Sequence, residues 1–199
     1  MLYKKPVNPS VGYSSIPMNV GSMINRGVEL DLNGDIIRTN DITWSVNFNL
    51  THFKNKILKL HPDLNGELID GNRIYQEKES MYQFYLRKYA GVDPETGVAL
   101  YYKDITDENN NVTGQEKTQN WSDATRYATG DILPKVYGGF GTRLNAYGFD
   151  FAISLAYQLG GRVYDNGYAA LMHAGDDPGQ NWHKDALNAW TPENKTSNV

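Results

Sequence analysis

The stretch Phe149-Asp150-Phe151-Ala152-Ile153-Ser154-Leu155-Ala156-Tyr157-Gln158-Leu159 decides the fold of this chain. Its odd positions are large and apolar, and its even positions are small or polar. Because side chains alternate between the two faces of a β-strand, the pattern predicts a strand with one apolar and one polar face. Such a strand suits a soluble sandwich, where the apolar face meets a core, and equally a membrane barrel, where that face meets lipid.

This strand is predicted to be the second arm of a hairpin over residues 135–160. With Tyr147-Gly148 as the turn, Ala146 faces Phe149, and Gly138 faces Tyr157 as an aromatic ring over a glycine. The charged Arg143 and Asp150 both fall on the polar face. The second arm has 11 residues. At about 3.3 Å per residue and a tilt near 45° it rises about 25 Å, the height of the apolar band of a membrane barrel.

A second hairpin precedes the first. Alternation over residues 28–36 and 42–51 predicts two strands, and matching their apolar faces requires a loop of odd length, three or five residues. The five-residue register places Trp44 opposite Gly34, with Arg38 continuing the apolar face. The other face carries only Glu, Asp, Asn, Ser and Thr, which is too hydrophilic for a dry core. It predicts a wet face, turned outward in a sandwich or into the lumen of a large barrel.

The rest of the chain gives weaker patterns. Residues 81–89 and 98–102 are predicted strands around a Pro/Gly turn, and the sequence leaves open whether residues 81–102 span a membrane or form an extracellular hairpin. Residues 104–114, 115–134 and 160–199 are predicted to be loops, with helical turns at 168–173 and 183–189. Short connections thus alternate with long ones, as in membrane barrels.

Composition sets several bounds. The chain has 199 residues, a formal charge of -4 and no cysteine. It has no dense run of Lys or Arg that would indicate binding to nucleic acid, phosphates or anionic lipid. No stretch approaches the length of a transmembrane helix. The start lacks the apolar region of a signal peptide, so a barrel protein would need further sequence before it.

Four segments resemble one known family. Residues 19–30, Asn-Val-Gly-Ser-Met-Ile-Asn-Arg-Gly-Val-Glu-Leu, resemble the N-x-G-x-x-x-N-x-G-x-E-L signature of SusC/RagA-type TonB-dependent outer-membrane receptors. Three later stretches agree with that family in order: Tyr-Ala-Gly-Val-Asp-Pro-Glu-Thr-Gly at 89–97, Leu-Pro-Lys at 133–135, and Ala-Trp-Thr-Pro-Glu-Asn at 189–194. The resemblance covers most of the chain.

The resemblance implies an all-β fold of antiparallel strands in a 22-stranded transmembrane barrel with a plugged lumen. Residues 1–199 would be a late part of that barrel, about four to six strands with long extracellular loops, without the plug or the closing strands. It also implies import of glycan oligosaccharides or peptides through the outer membrane of Bacteroidetes-type bacteria, without enzymatic chemistry or a cofactor. The implied partners are a SusD-like surface lipoprotein, outer-membrane lipid, and the TonB complex through the missing N-terminal part.

A soluble secreted β-sandwich, such as a carbohydrate-binding module, is the alternative, and a glycoside hydrolase fragment is a third interpretation. The first two differ in the surroundings of the apolar residues. In a barrel these face lipid, whereas in a sandwich they are buried under a second sheet. The residues concerned are Trp44, Val46, Phe48, Phe151, Ile153 and Leu155.

Aromatic residues outside the confident strands are candidates for stacking on sugars or for anchoring a partner. They are Trp121, Tyr164, Tyr168, Trp182 and Trp190. No catalytic, cofactor or metal site is predicted. Residues 31–35 lack the twelfth-position Glu of a calcium loop, and Asp107, Asn109 and Asn111 indicate a solvated turn. The spacing of His173, Asp176, Asp177 and His183 matches no known metal motif.

Overall fold

The computed structural model describes residues 2–19, 21–173, 175 and 178–197, and more than half of these lie in β-strands, which pair antiparallel as predicted. The strands are β1 Leu2–Pro6, β2 Ser15–Asn19, β3 Gly21–Arg38, β4 Ile42–Leu60, β5 Glu67–Asp70, β6 Arg73–Gln76, β7 Gln83–Arg87, β8 Tyr89–Val92, β9 Ala99–Thr106, β10 Val112–Thr118, β11 Arg126–Asp131, β12 Val136–Ala146 and β13 Phe149–Leu159. The α-helix is α1 Asn166–Leu171, and 3-10 helices lie at Pro9–Val11, Pro62–Leu64, Trp121–Asp123 and Lys184–Asn188. No helix within the described ranges has the length and apolarity that a membrane crossing requires.

The chain divides into two compact units. Unit 1 comprises Met1–Phe84 and Gly130–Arg162, and unit 2 comprises Tyr85–Thr129 and Val163–Val199. Unit 1 contains the long strands and their sheet. Unit 2 contains the shorter strands β8, β9 and β10 together with α1.

The main sheet of unit 1 has the order β13-β12-β4-β3, and its β12–β13 hairpin has the register that the sequence predicts. Ala146 lies opposite Phe149, and Gly138 lies opposite Tyr157. The turn residues Tyr147 and Gly148 have φ angles of 51° and 85°. Two successive positive φ angles are the signature of a type I′ turn, whose twist matches that of the flanking strands. The two-residue turn therefore fixes the pairing along the whole hairpin.

The β3–β4 hairpin corrects two predictions. Trp44 lies opposite Ile37 rather than Gly34, which faces Val46, because a bulge at Ile36 adds one residue to β3. The same bulge turns Arg38 to the polar face, where its Nη1 lies 3.4 Å from Asp35 Oδ2. The prediction that Arg38 continues the apolar face is therefore wrong. From Asp35 back along β3 the apolar faces of the two strands match, because the extra residue at Ile36 shifts the pairing by one and brings apolar residues of β3 opposite apolar residues of β4.

The hairpin is also longer than the sequence pattern indicates, with 18 residues in β3 and 19 in β4. Its far end carries the buried core of unit 1, where Ile57 and Leu60 pack with Tyr75 of β6. Asn55 is buried beside them, and its Oδ1 accepts a 2.9 Å hydrogen bond from the Met81 N–H. The core therefore lies beyond the end of β12 and not beneath the apolar face of the main sheet.

In unit 2, β8, β9 and β10 form an antiparallel sheet. The prediction of loops over 104–114 and 115–134 is wrong, because β10 and β11 lie within these ranges. β10 has no apolar face, so alternation could not reveal it. Its pairing with β9 comes from backbone hydrogen bonds and from an ion pair of 2.9 Å between Lys103 and Glu116. The helical turns predicted at 168–173 and 183–189 are confirmed, with boundaries shifted by up to two residues.

Candidate functional site

The first candidate surface is the apolar face of the main sheet. The strand register gathers the six predicted residues into three adjacent cross-strand rows. The rows are Trp44–Leu144–Phe151, Val46–Thr142–Ile153 and Phe48–Phe140–Leu155. None of these side chains is buried, and Phe151 and Leu155 remain 55% and 58% exposed. Among the described residues no second sheet covers this apolar face, whereas a sandwich would bury it.

The polar atoms of Trp44 and Tyr157 on this apolar face form hydrogen bonds within the sheet. The Trp44 indole N–H donates a 2.8 Å hydrogen bond to Thr142 Oγ1. The Tyr157 hydroxyl donates one of 2.8 Å to the Asn49 carbonyl, and its ring stacks on Phe48 with centroids 6.2 Å apart. An unpaired polar group in a water-free environment costs several kcal/mol. This internal pairing suits an environment without water.

The opposite, polar face of the same sheet forms an open groove of about 590 Å³. Asp35, Ser45 and Arg143 make one cross-strand row along it. Ser45 Oγ donates a 2.9 Å hydrogen bond to Asp35 Oδ1. Arg143 is exposed and has no ion-pair partner in the described part of the chain. The groove offers hydrogen bonds and one free guanidinium to a polar or anionic molecule.

Trp121 is the centre of an aromatic cluster in unit 2. Its ring lies edge-on to Tyr101 at 4.9 Å, and the guanidinium carbon of Arg87 sits 4.4 Å from its centroid. Trp121 nevertheless remains 53% exposed. Sequence reasoning missed Arg87 and Tyr101, because both lie in strands far from Trp121 in the sequence and carry no motif.

The other loop aromatics make separate contacts. Tyr168 lies edge-on to His183 at 4.9 Å, and its hydroxyl is 3.2 Å from Asp185 Oδ2. The Trp182 indole N–H donates to His173 Nδ1 at 3.2 Å. Tyr164 is 41% exposed. These three residues therefore present aromatic surface in the segment that follows β13.

Trp190 has a different role, because it joins two of the motif segments. Its indole lies over Gly97 and donates a 3.1 Å hydrogen bond to the Pro94 carbonyl. Lys195 forms an ion pair of 3.2 Å with Glu95 beside it. This arrangement favours a structural role for Trp190 over contact with a ligand.

The turn under Trp190 is held by Asp93. Its Oδ1 accepts a 2.9 Å hydrogen bond from the Glu95 N–H. That backbone hydrogen bond is the main reason why the pKa of Asp93 lies below its ordinary value, and hydrogen bonds from Thr96 and Gln119 act in the same direction. The charged carboxylate is thus part of the turn structure.

The structure assigns local roles to the acidic segments that were considered as ion sites. Residues 31–35 lie within β3. Asp107 Oδ1 accepts hydrogen bonds from the Asn109 and Asn111 N–H groups at 2.9 and 2.8 Å, as expected of a solvated turn, and the Asn111 backbone is the first cause that lowers the pKa of Asp107. Asp176 and Asp177 lie outside the described residues. Among the residues that are described, no group of three or more His, Asp or Glu has the proximity that a metal ion needs.

Comparison with known proteins identifies relatives that match most or all of the chain. No protein-family model matches the sequence. The chain is 30% identical, over all of its length, to the TonB-dependent receptor P3 of Formosa agariphila, and covers 21% of that protein. It is 25% identical, over 76% of its length, to the TonB-dependent receptor SusC of Bacteroides thetaiotaomicron, and covers 15% of it. A solved structure described as the RagAB peptide transporter matches the whole chain with a TM-score of 0.80 and 30% identity, and 22% of that chain is covered. The chain thus spans about a fifth of the length of the first of these relatives.

Proposed function

The chain belongs to the SusC/RagA-type TonB-dependent receptors, and from this premise we propose that it forms part of the barrel wall of an outer-membrane nutrient importer. The observation that carries the proposal is the two-faced main sheet, with an open apolar face on one side and a polar groove on the other. Residues 1–199 would be a late part of the barrel, with the plug and the closing strands supplied by other residues of the receptor.

In this proposal the apolar face contacts lipid and the polar face lines the import channel. β12 and β13 have 11 residues each. Tilted strands of that length rise about 25 Å, which matches the apolar band of outer-membrane barrels. The short connections after β3 and β12 would lie on the periplasmic side, since barrels of this kind have short periplasmic turns.

Unit 2 is proposed to lie outside the membrane. β8 has 4 residues, whereas a spanning strand needs about 9–11. Residues 81–102 would therefore contribute to an extracellular hairpin. The exposed Trp121 of unit 2, together with the aromatic residues after β13, would contact cargo or a partner protein.

The proposed cargo is a glycan oligosaccharide or a peptide. Support comes from the names of the relatives, one of which is a SusC receptor and another a peptide transporter. A SusD-like surface lipoprotein would cover the extracellular loops, and the TonB complex would supply energy. Guidance along a polar wall needs no covalent chemistry, so the proposed role is that of a transporter and not of an enzyme.

Substitution at the middle of β13 tests the proposal. In the complete receptor, Ile153→Arg places a cation on the lipid face near the bilayer midplane, which costs about 2–4 kcal/mol. Ser154→Arg is the matched control on the polar face. Ala152 suits this purpose less well, because it lies opposite Arg143 and like charges there repel.

The measurement is the fraction of receptor that assembles into SDS-resistant barrels in the outer membrane. We expect Ile153→Arg to reduce that fraction strongly and Ser154→Arg to leave it near the wild-type level. Equal assembly of the two variants would contradict the proposed orientation of the sheet.

A further inference from the structure

β4 reverses its polarity at His52. Between Trp44 and Leu50 the side chains of one face are apolar and those of the other face are polar. Beyond His52 the first face carries Lys54 and Lys56, while the second face carries Asn55 and Ile57, which are 2% and 0% exposed. The face proposed to contact lipid therefore changes from apolar to basic, and the inner face changes from wet to buried.

Two further cations join this basic segment. Arg26 lies directly opposite Lys54 on β3. A bulge at Leu58 returns Lys59 to the outward face, opposite Ser22. We call Arg26, Lys54, Lys56 and Lys59 the basic column. All four side chains are exposed, and none forms an ion pair with a carboxylate in the described part of the chain.

The arrangement is electrostatically unfavourable by itself. Cations that lie directly opposite one another on paired strands repel, so Arg26 and Lys54 destabilise the strand pair unless an anion lies between them. The outward face of β3 and β4 beyond the Val28–His52 row carries no Asp or Glu to supply that anion. An anionic group from outside the chain would therefore stabilise the basic column.

The position of the basic column along the strands indicates which anion it meets. It begins one row beyond Val28 and His52, at the end of the apolar face that lies away from the short turns. In the proposed orientation, this is the level at which outer-leaflet headgroups meet the barrel. We infer that the basic column binds the phosphate groups of anionic lipid in the outer leaflet, an inference that rests on the proposed function.

The test uses the complete receptor, purified in detergent and titrated with bisphosphorylated lipid A by native mass spectrometry. The variant is Lys54→Gln/Lys56→Gln, and the control, Lys117→Gln/Lys184→Gln, removes two exposed lysines from unit 2. Each lysine near an anionic lipid surface contributes about 1 kcal/mol, or about fivefold in affinity. The variant is therefore expected to bind lipid A roughly 25-fold more weakly, and the control as tightly as the wild type. Binding is measured on receptor that has assembled into SDS-resistant barrels. If the double variant does not assemble, the single variant Lys56→Gln replaces it, with about fivefold weaker binding expected.

Two further measurements distinguish lipid phosphate from free phosphate, and failure of this inference from failure of the proposed function. Dephosphorylated lipid A should bind weakly to the wild type, and inorganic phosphate should not displace lipid A. Unchanged lipid A affinity in the lysine variant, or displacement of lipid A by inorganic phosphate, would overturn the inference. The proposed function would still stand in that case if Ile153→Arg blocks assembly of the receptor. Normal assembly of Ile153→Arg would instead overturn the proposed function itself.

Discussion

Tyr157 lies across Gly138. The hydroxyl of Tyr157 on β13 reaches past β12 and donates its hydrogen bond to the Asn49 carbonyl on β4. A Cβ at Gly138 of β12 would stand 2.7 Å from that hydroxyl and 2.0 Å from the carbonyl oxygen. The ring takes the space that the glycine leaves open, so β4, β12 and β13 are connected by one side chain.

Gly138→Ala is expected to weaken assembly of the receptor. The added methyl group displaces Tyr157 or separates the strands, and overpacking of this kind costs about 1–3 kcal/mol. Gly34→Ala is the control, because Gly34 occupies the same face of β3 and has no atom within 4 Å of an added Cβ. Urea unfolding of the two variants in lipid vesicles measures the difference, and equal midpoints would show that the Tyr157 contact carries no stability.

Gly97→Ala is expected to release the contact between the two motif segments of unit 2. Gly97 has a φ of 73°, and an added Cβ would lie 2.4 Å from Trp190 Cε3. Gly66→Ala is the control, since Gly66 has a φ of 88° but open space around it, so it shares the backbone strain without the clash. Amide hydrogen exchange over residues 92–98 should accelerate in Gly97→Ala alone.

Acid should loosen the same turn. The folded state lowers the pKa of Asp93 below its ordinary value of 3.8, so its carboxylate stabilises the turn above that pH, and this contribution is lost as the pH falls through the lower, folded-state pKa. Hydrogen exchange over residues 93–97 should therefore rise below about pH 3.8 relative to a reference loop. Asp93→Asn should remove this pH dependence, and a variant that kept it would assign the effect to another group.

Trp121 is the aromatic residue that we expect to contribute most to cargo binding, because Arg87 and Tyr101 hold its exposed ring in place. Trp121→Ala should weaken cargo binding by about 1 kcal/mol, roughly fivefold, while Trp121→Phe retains most of it. Isothermal titration with the cargo of the complete receptor provides the measurement. If a folded Trp121→Ala variant binds cargo with wild-type affinity, Trp121 does not contribute to cargo binding.

The sequence was sufficient where local chemistry determines the structure. The two-residue turn at Tyr147-Gly148 determines the register of β12 and β13, and strict alternation determines which residues share a face. The β12–β13 pairs of the three apolar rows followed from these two facts, whereas the pairing of β12 with β4 was not predicted.

The sequence was insufficient where a single extra residue or a distant contact decides the outcome. The bulge at Ile36 moved Arg38 to the polar face, because two adjacent isoleucines fit either register. Residues 52–60 of β4 were not predicted as strand, because the apolar residues change from one face to the other at His52 and the alternation of residues 42–51 ends there. The basic column combines Arg26 of β3 with three lysines of β4 that other residues separate, so no continuous run of lysines indicates it.

The most direct test of the two-faced wall is a cysteine scan over residues 149–159, in a receptor from which any cysteine outside residues 1–199 has been removed, since residues 1–199 contain none. Each single variant of the complete receptor is treated in the outer membrane with a water-soluble maleimide, and is separately labelled with a fluorophore whose quenching by brominated lipid is measured. We predict alternation with a period of two: lipid quenching without maleimide reaction at 151, 153 and 155, and maleimide reaction without quenching at 150, 152 and 154. Loss of the alternation, or protection of the odd positions from both water and lipid, would contradict the account.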